Sequence, residues 1–221
     1  MSNALMTKFL AGIAATLVGL SHANDGDPSV LRSQKDAARE REWLLTPKGV
    51  VVFERKARAT PTVVPLADWV WAAEAYMCPP DLALGPNGEA LVTSNVVPIL
   101  WRVDPISLTV TKHPLAVDAH ATKDVGFTGL AYAPTLGGYF AVSEFGALWR
   151  IDPLLRRAQA VALEPALPRG CSLSASTRPP RDRSRRAFRL HAHAGGRQWD
   201  IHFAPDYRSA YARPSAVIPE R

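Results

Sequence analysis

The chain has 221 residues, 47% hydrophobic and 21% charged, with a formal net charge of +6 and a pI near 9.6. This composition excludes a collagen-like chain and a polytopic membrane protein, and fits one globular domain with or without an appendage. Two cysteines are too few for a disulfide-built miniprotein or a four-cysteine zinc module.

At the start of the chain, Lys8 precedes an unbroken apolar or small run, Phe9 to Leu20, and Ser21-His22-Ala23 follows. A basic flank, a short apolar core and a small-x-small site predict a secretory signal over 1–23. The run is 12 residues long, short of the ~20 that cross a bilayer. The expected location is therefore periplasmic or secreted, with no transmembrane segment in the mature chain. Residues 24–48 read as a linker or short helix. Ser33 can serve as the N-cap of an amphipathic helix running to Leu44.

Beyond residue 48 the sequence repeats. Leu100-Trp101-Arg102-Val103-Asp104-Pro105 returns as Leu148-Trp149-Arg150-Ile151-Asp152-Pro153, 48 residues later. The apolar segments beginning at Leu82 and Leu130 have the same offset, as do Pro86 and Pro134. A further step back reaches Gly49 to Leu66, two apolar runs around a polar turn that match the second half of the unit. Each full copy divides into four short strands. They are Leu82–Gly85, Ala90–Ser94, Ile99–Asp104 and Thr109–Pro114 in one copy. In the other they are Gly129–Tyr132, Tyr139–Ser143, Ala147–Asp152 and Gln159–Leu163. The breaks are turn formers: Gly85-Pro86-Asn87-Gly88, Gly137-Gly138, Gly146 and the two Asp-Pro steps. Four strands in 40–50 residues is the size of a propeller blade. The predicted fold is all-β and β-propeller-like, with four-stranded antiparallel blades over 49–168 in about two and a half copies, an incomplete ring.

On these strings the segment 49–163 resembles blades of the secreted and periplasmic propeller repeat proteins of the NHL, YVTN and SMP-30-like group. That resemblance implies architecture more than activity, because such propellers carry sugar-lactone hydrolases, lyases and binding scaffolds alike. Lactonase-like members use a Glu, Asn and Asp set on a metal. That set does not map onto matched positions here, so no catalytic residue is carried over.

Alternation along a strand puts Trp101 with Val103, and Trp149 with Ile151, on one face, expected to join blade to blade. Arg102 with Asp104, and Arg150 with Asp152, occur in both full copies. They read as ion pairs or turn caps, since function belongs where copies differ. The loops before the innermost strands differ most. One, Asp68 to Asp81, carries Trp71, Glu74 and Tyr76; the other, Asp118 to Thr128, carries His120, Lys123 and Asp124. Trp71, Glu74, Tyr76, Asp81, His120 and Asp124 are the candidate ligand-binding residues. Asp118, Asp124 and Glu144 are candidate oxygen ligands for Ca²⁺, with the Asn95 amide oxygen as a further donor.

Cys78 and Cys171 lie 93 residues apart and can pair in an oxidising compartment. Neither has the His–acid partners of a nucleophilic thiol. His191 and His193, two apart, would share a face on a strand, with Asp200 and His202 following. They read as surface histidines, with metal binding the alternative.

Residues 169–221 hold eleven Arg, no Lys and four acids, a balance of +7 that leaves residues 1–168 at −1. The whole basic excess sits in this tail, predicted to be disordered or out-of-frame. Two alternatives stand beside that reading. One is polyanion binding through the arginines. The other is a real structural element, since Phe188 to Phe203 alternates around Gly195-Gly196 like a hairpin. Nucleic acid is not an expected partner of an exported protein.

The leading expectation is an exported binding scaffold of unknown ligand, in truncated or frameshifted form, without turnover of lactones or esters and without a cofactor. A metal-dependent sugar-lactonase-like hydrolase using Ca²⁺ is the alternative. Two and a half copies leave open blade faces, so a homo-oligomer completing the ring is also an expectation.

Overall fold

The computed structural model describes residues 30–55, 60–73, 78–118, 126–175, 189–204 and 208–215. Residues 1–23, expected to be a secretory signal, and the Arg-rich stretch 176–188 lie outside these residues. Four sheets of four strands follow one another along the chain. The first holds β1 (Arg32–Asp36), β2 (Arg41–Thr46), β3 (Gly49–Glu54) and β4 (Thr62–Val64). The second holds β5 (Leu82–Leu84), β6 (Ala90–Val92), β7 (Ile99–Val103) and β8 (Val110–Pro114). A two-residue strand, β9 (Ala116–Val117), precedes the third: β10 (Gly129–Ala133), β11 (Gly138–Val142), β12 (Leu148–Ile151) and β13 (Arg157–Glu164). The fourth holds β14 (Gly170–Ala175), β15 (Arg189–Ala194), β16 (Arg197–Phe203) and β17 (Ser209–Pro214).

Within each sheet every neighbour is antiparallel and sequential. The first strands lie side by side in the order β1, β5, β10, β14. Each sheet therefore runs outward from a shared axis, and the four are consecutive blades of a β-propeller. The strands of the two full repeats fall within one or two residues of their expected bounds.

Two expectations are corrected. Residues 32–46, read as linker or short helix, form β1 and β2, so the half copy at 49–66 is the outer half of a complete blade. Its helix-like pattern fails because Trp43 and Leu45, two apart, face blade 2 while Leu44 between them does not, the period of two that a strand gives. The tail, read as disordered or out-of-frame, forms β14–β17 across its described parts. Leu173, Leu190, Ala192, Ala194, Ile201, Ala210 and Ala212 all face blade 3. The hairpin at Gly195-Gly196 is present, with φ of 56° and 71°. Two successive positive φ values make the tight turn that suits twisted strands, and glycine adopts them without Cβ strain.

Three apolar layers hold the blades together. Trp43, Leu45, Val50, Val52, Trp101 and Val103 fill the first, between blades 1 and 2. Phe127, Leu130, Ala141, Trp149 and Ile151 meet Leu91 and Leu100 in the second. Phe140, Val142 and Leu148 meet the fourth blade in the third. Trp101 and Trp149 are fully buried and face the preceding blade, as the repeat pattern requires. An aromatic of this size removes ~150–250 Å² from water, worth roughly 4–6 kcal/mol at ~25 cal/mol/Å².

The aspartates of the Asp-Pro steps are turn caps. Asp104 Oδ1 accepts from the Ile106 and Ser107 amides at 2.9 and 2.8 Å. Asp152 accepts from the Leu154 and Arg156 amides, both at 2.9 Å. Leu108 and Leu155 follow these turns with the same φ of 56°. Outer strands also join blades. β13 pairs in parallel with β9 at its start and with β17 at its end, so blades 2, 3 and 4 share a peripheral seam.

Candidate functional site

The loops leading into the innermost strands lie on the same rim as the turns between second and third strands. The loop after β4 is sewn onto the segment Thr93–Asn95 of blade 2. Trp69 Nε1 donates to the Thr93 carbonyl at 2.9 Å, and Ser94 Oγ donates to the Val70 carbonyl at 2.6 Å. Asn95, 2% exposed, accepts from the Ala72 amide at 2.9 Å. It donates to the Ala72 and Cys78 carbonyls at 2.7 and 3.1 Å. Its amide oxygen is thus spent inside the protein, and Asn95 acts as a clamp. From the other side the Phe127 amide donates to the Ser94 carbonyl at 2.7 Å. Gly126 lies so close that an added Cβ would meet the Asn95 carbonyl oxygen at 2.1 Å. The described parts of both variable loops are therefore fixed to one short segment of blade 2.

Trp71 sits on this rim, half-buried, stacked on Trp69 with centroids 5.6 Å apart and planes at 26°. Unlike Trp43, Trp101 and Trp149 it belongs to none of the three core layers, and Trp69 only borders one. Further round the rim Phe145 is 57% exposed, with the Arg169 guanidinium 5.1 Å from its ring.

Asp81 lies beneath the rim surface, where three blades meet. Its Oδ1 accepts from the Leu82 amide at 2.8 Å and stands 3.2 Å from Arg32 Nε of blade 1. Its Oδ2 accepts from the Leu130 amide of blade 3 at 2.7 Å. Burial pushes its carboxyl from 3.8 up to about 6, against the opposing pull of Arg32 and the two amides. On the opposite rim the Tyr139 hydroxyl donates to the buried Glu89 carboxylate of blade 2 at 3.1 Å. Burial and that carboxylate raise the pKa of Tyr139.

The structure does not bring the three described candidate carboxylates together. Asp81 pairs with Arg32, Asp118 with Arg157 at 2.8 Å, and Glu144 with Arg169 at 3.1 Å. Asp118 follows β9 at the periphery, beside the outermost strand of blade 3, far from the inner strands. A carboxylate already matched by a guanidinium has less charge to offer a cation. Among the described residues, no three His, Cys, Asp or Glu side chains form a metal-holding group. Glu74, Tyr76, His120 and Asp124 lie outside the described residues. Cys78 is buried and disulfide-bonded; the Cys171 side chain lies outside the described residues.

Sequence reasoning missed Arg32 and Arg169. Arg32 was hidden in the segment read as linker, and Arg169 among the tail arginines. Nothing in the order of residues marks either as the partner of an acid 49 or 25 positions away.

No family model and no curated protein matches the sequence. Among solved structures, the chain is similar to streptogramin B lyase, with a TM-score of 0.58 at 10% identity. That match covers 86% of this chain and 56% of the other. It is also similar to the Malassezia sympodialis allergen Mala s 1, with a TM-score of 0.53 at 13% identity, covering 79% and 59%. An auxiliary nutrient binding protein from Bacteroides thetaiotaomicron gives a TM-score of 0.53 at 11% identity, covering 84% and 46%. The chain thus spans about half the length of the proteins it resembles. At these identities the likeness shows the fold alone.

Proposed function

We propose that this chain is an exported propeller of the NHL, YVTN and SMP-30-like kind that works as a binding scaffold. Its ligand meets the rim at the loops 68–81 and 118–128. The observation that carries this reading is Trp71. It is a large aromatic outside every core layer, yet it is held rigidly by Trp69 beneath it and by the Asn95 clamp on Ala72. A preorganised aromatic with one polar edge is what a binding rim uses, because little conformational freedom is lost on contact. Glu74, Tyr76, His120 and Asp124 belong to the same two loops and complete the proposed contact set. Asp81 ties blades 1 and 3 to blade 2 beneath the rim. The likeness to a nutrient binding protein supports a binding role only through the shared fold.

The test is a panel of oligosaccharides, peptides and lactones offered to the full chain, with a thermal-melt shift as readout. A ligand whose affinity falls at least tenfold in Trp71→Ala, with the melting temperature of the free protein unchanged, supports the reading. Ligands that bind Trp71→Ala as well as the wild type would overturn the rim assignment. Turnover of any lactone or ester would overturn the non-enzymatic role.

A further inference from the structure

The fourth blade presents two unlike faces. Leu190, Ala192 and Ala194 of β15, Trp199, Ile201 and Phe203 of β16, and Ala210 and Ala212 of β17 face blade 3. The opposite face carries His191 and His193 opposite Asp200 and Gln198, with His202 further along β16, buried and stacked on Tyr211. Among the described residues no sheet packs against it. The binding rim does not use it.

One of its histidines is held in a defined way. His191 Nδ1 lies 2.8 Å from Asp200 Oδ1, and Ser215 Oγ donates to that same oxygen at 2.7 Å. The serine grips the carboxylate and not the imidazole, so the trio is no nucleophile relay. Gln198 Nε2 also stands 3.3 Å from Nδ1, but the carboxylate contact is the shorter by 0.5 Å; with Nδ1–H donated to the carboxylate, the lone pair of His191 sits on Nε2, directed away from Asp200. Metal-binding imidazoles are oriented in this way by a carboxylate on the far nitrogen. His193 follows two residues on, on the same face, and is exposed. Two strand positions that far apart stand roughly 7 Å from each other, within reach of one ion bound at ~2.0–2.1 Å by each imidazole nitrogen.

We infer that the outer face of blade 4 is a binding site for a borderline divalent transition-metal ion such as Zn²⁺, held by His191 and His193 with Asp200 as the orienting partner. Imidazole pairs favour Zn²⁺, Ni²⁺ and Cu²⁺ over Ca²⁺ or Mg²⁺, which prefer oxygen. Water fills the remaining positions. Arg213 stands opposite Asp200 in the sheet register, and its charge weakens the site without touching its ligands.

The test uses the full chain stripped with chelator and titrated with Zn²⁺ alone by calorimetry. His191→Ala and His193→Ala should each weaken binding at least tenfold. Asp200→Asn, which leaves both ligands in place, should weaken it about 10–100-fold. A second measurement needs no variant. Modification of histidines by diethyl pyrocarbonate should be suppressed by Zn²⁺ in the tryptic peptide Leu190–Arg197, which holds both residues. Unchanged affinity in either alanine variant or in Asp200→Asn, or unchanged modification of that peptide, overturns the site.

Discussion

Asp81 makes the fold's stability depend on pH in a direction opposite to most carboxylates. Its carboxyl is raised by burial from 3.8 to about 6, despite Arg32 and two amides. The folded state therefore binds the proton more tightly than the unfolded chain. The stabilisation is complete below about pH 4 and is lost as pH rises through 6. At 1.36 kcal/mol per pH unit the contribution is about 3 kcal/mol, a sizeable part of a domain's net ~5–15 kcal/mol. Asp81→Asn removes the titrating group while keeping a carbonyl oxygen for one of the Leu82 and Leu130 amides. Urea unfolding of both proteins, at half-unit steps from pH 4 to pH 7.5, isolates the effect. Subtracting one profile from the other cancels groups such as Asp104 and Asp200, which hydrogen bonds hold below the ordinary carboxylate range. The wild type should lose about 2–2.5 kcal/mol relative to the variant across that range, most of it between pH 4 and 6.5. Parallel profiles would refute the assignment of Asp81 as a buried, three-blade anchor.

Trp149→Ala should cost about 3–5 kcal/mol in urea unfolding, because it empties the layer between blades 2 and 3 beside Phe127; a loss under 1 kcal/mol would contradict that packing. Tyr139→Phe should cost about 1–3 kcal/mol, since the buried Glu89 carboxylate loses a donor and, among the described residues, keeps the Asn87 amide. The same unfolding measurement reads it, and a neutral outcome would show that water replaces the hydroxyl. If Cys78 pairs with Cys171, Cys78→Ser should destabilise by up to ~4–5 kcal/mol, the chain-entropy value for a loop of that length. Mass spectrometry of the unreduced chain should then show a 78–171 linked peptide, and free thiols on both would refute the pairing.

The repeat was legible because its signals are local. Leu-Trp-Arg-x-Asp-Pro, the glycine turns and the 48-residue offset each act within a strand or one turn. Strand alternation and Asp-capped turns need no distant partner. From them came the blades at 82–114 and 129–163, the burial of Trp101 and Trp149, and the hairpin at Gly195-Gly196. Other features depend on which blades are neighbours. Ser33 to Leu44 carries enough helix-forming residues to read as a helix. It becomes β1 and β2 because Trp43 and Leu45 find Trp101 and Val103 across the layer. The arginine count of 169–221 suggested disorder, yet small apolar residues at every second position are sufficient once blade 3 offers a surface for them. Trp71 was legible as an aromatic outside the repeat pattern, and the structure keeps it out of the three core layers. The pairing of Asp81 with Arg32, Asp118 with Arg157 and Glu144 with Arg169 was not, because opposite charges distant in sequence meet only when the blades are set around their axis. Sequence alone determined the unit of the fold. Tertiary structure decided the number of units and which acids are already matched by a cation, since both depend on contacts between blades and not within them.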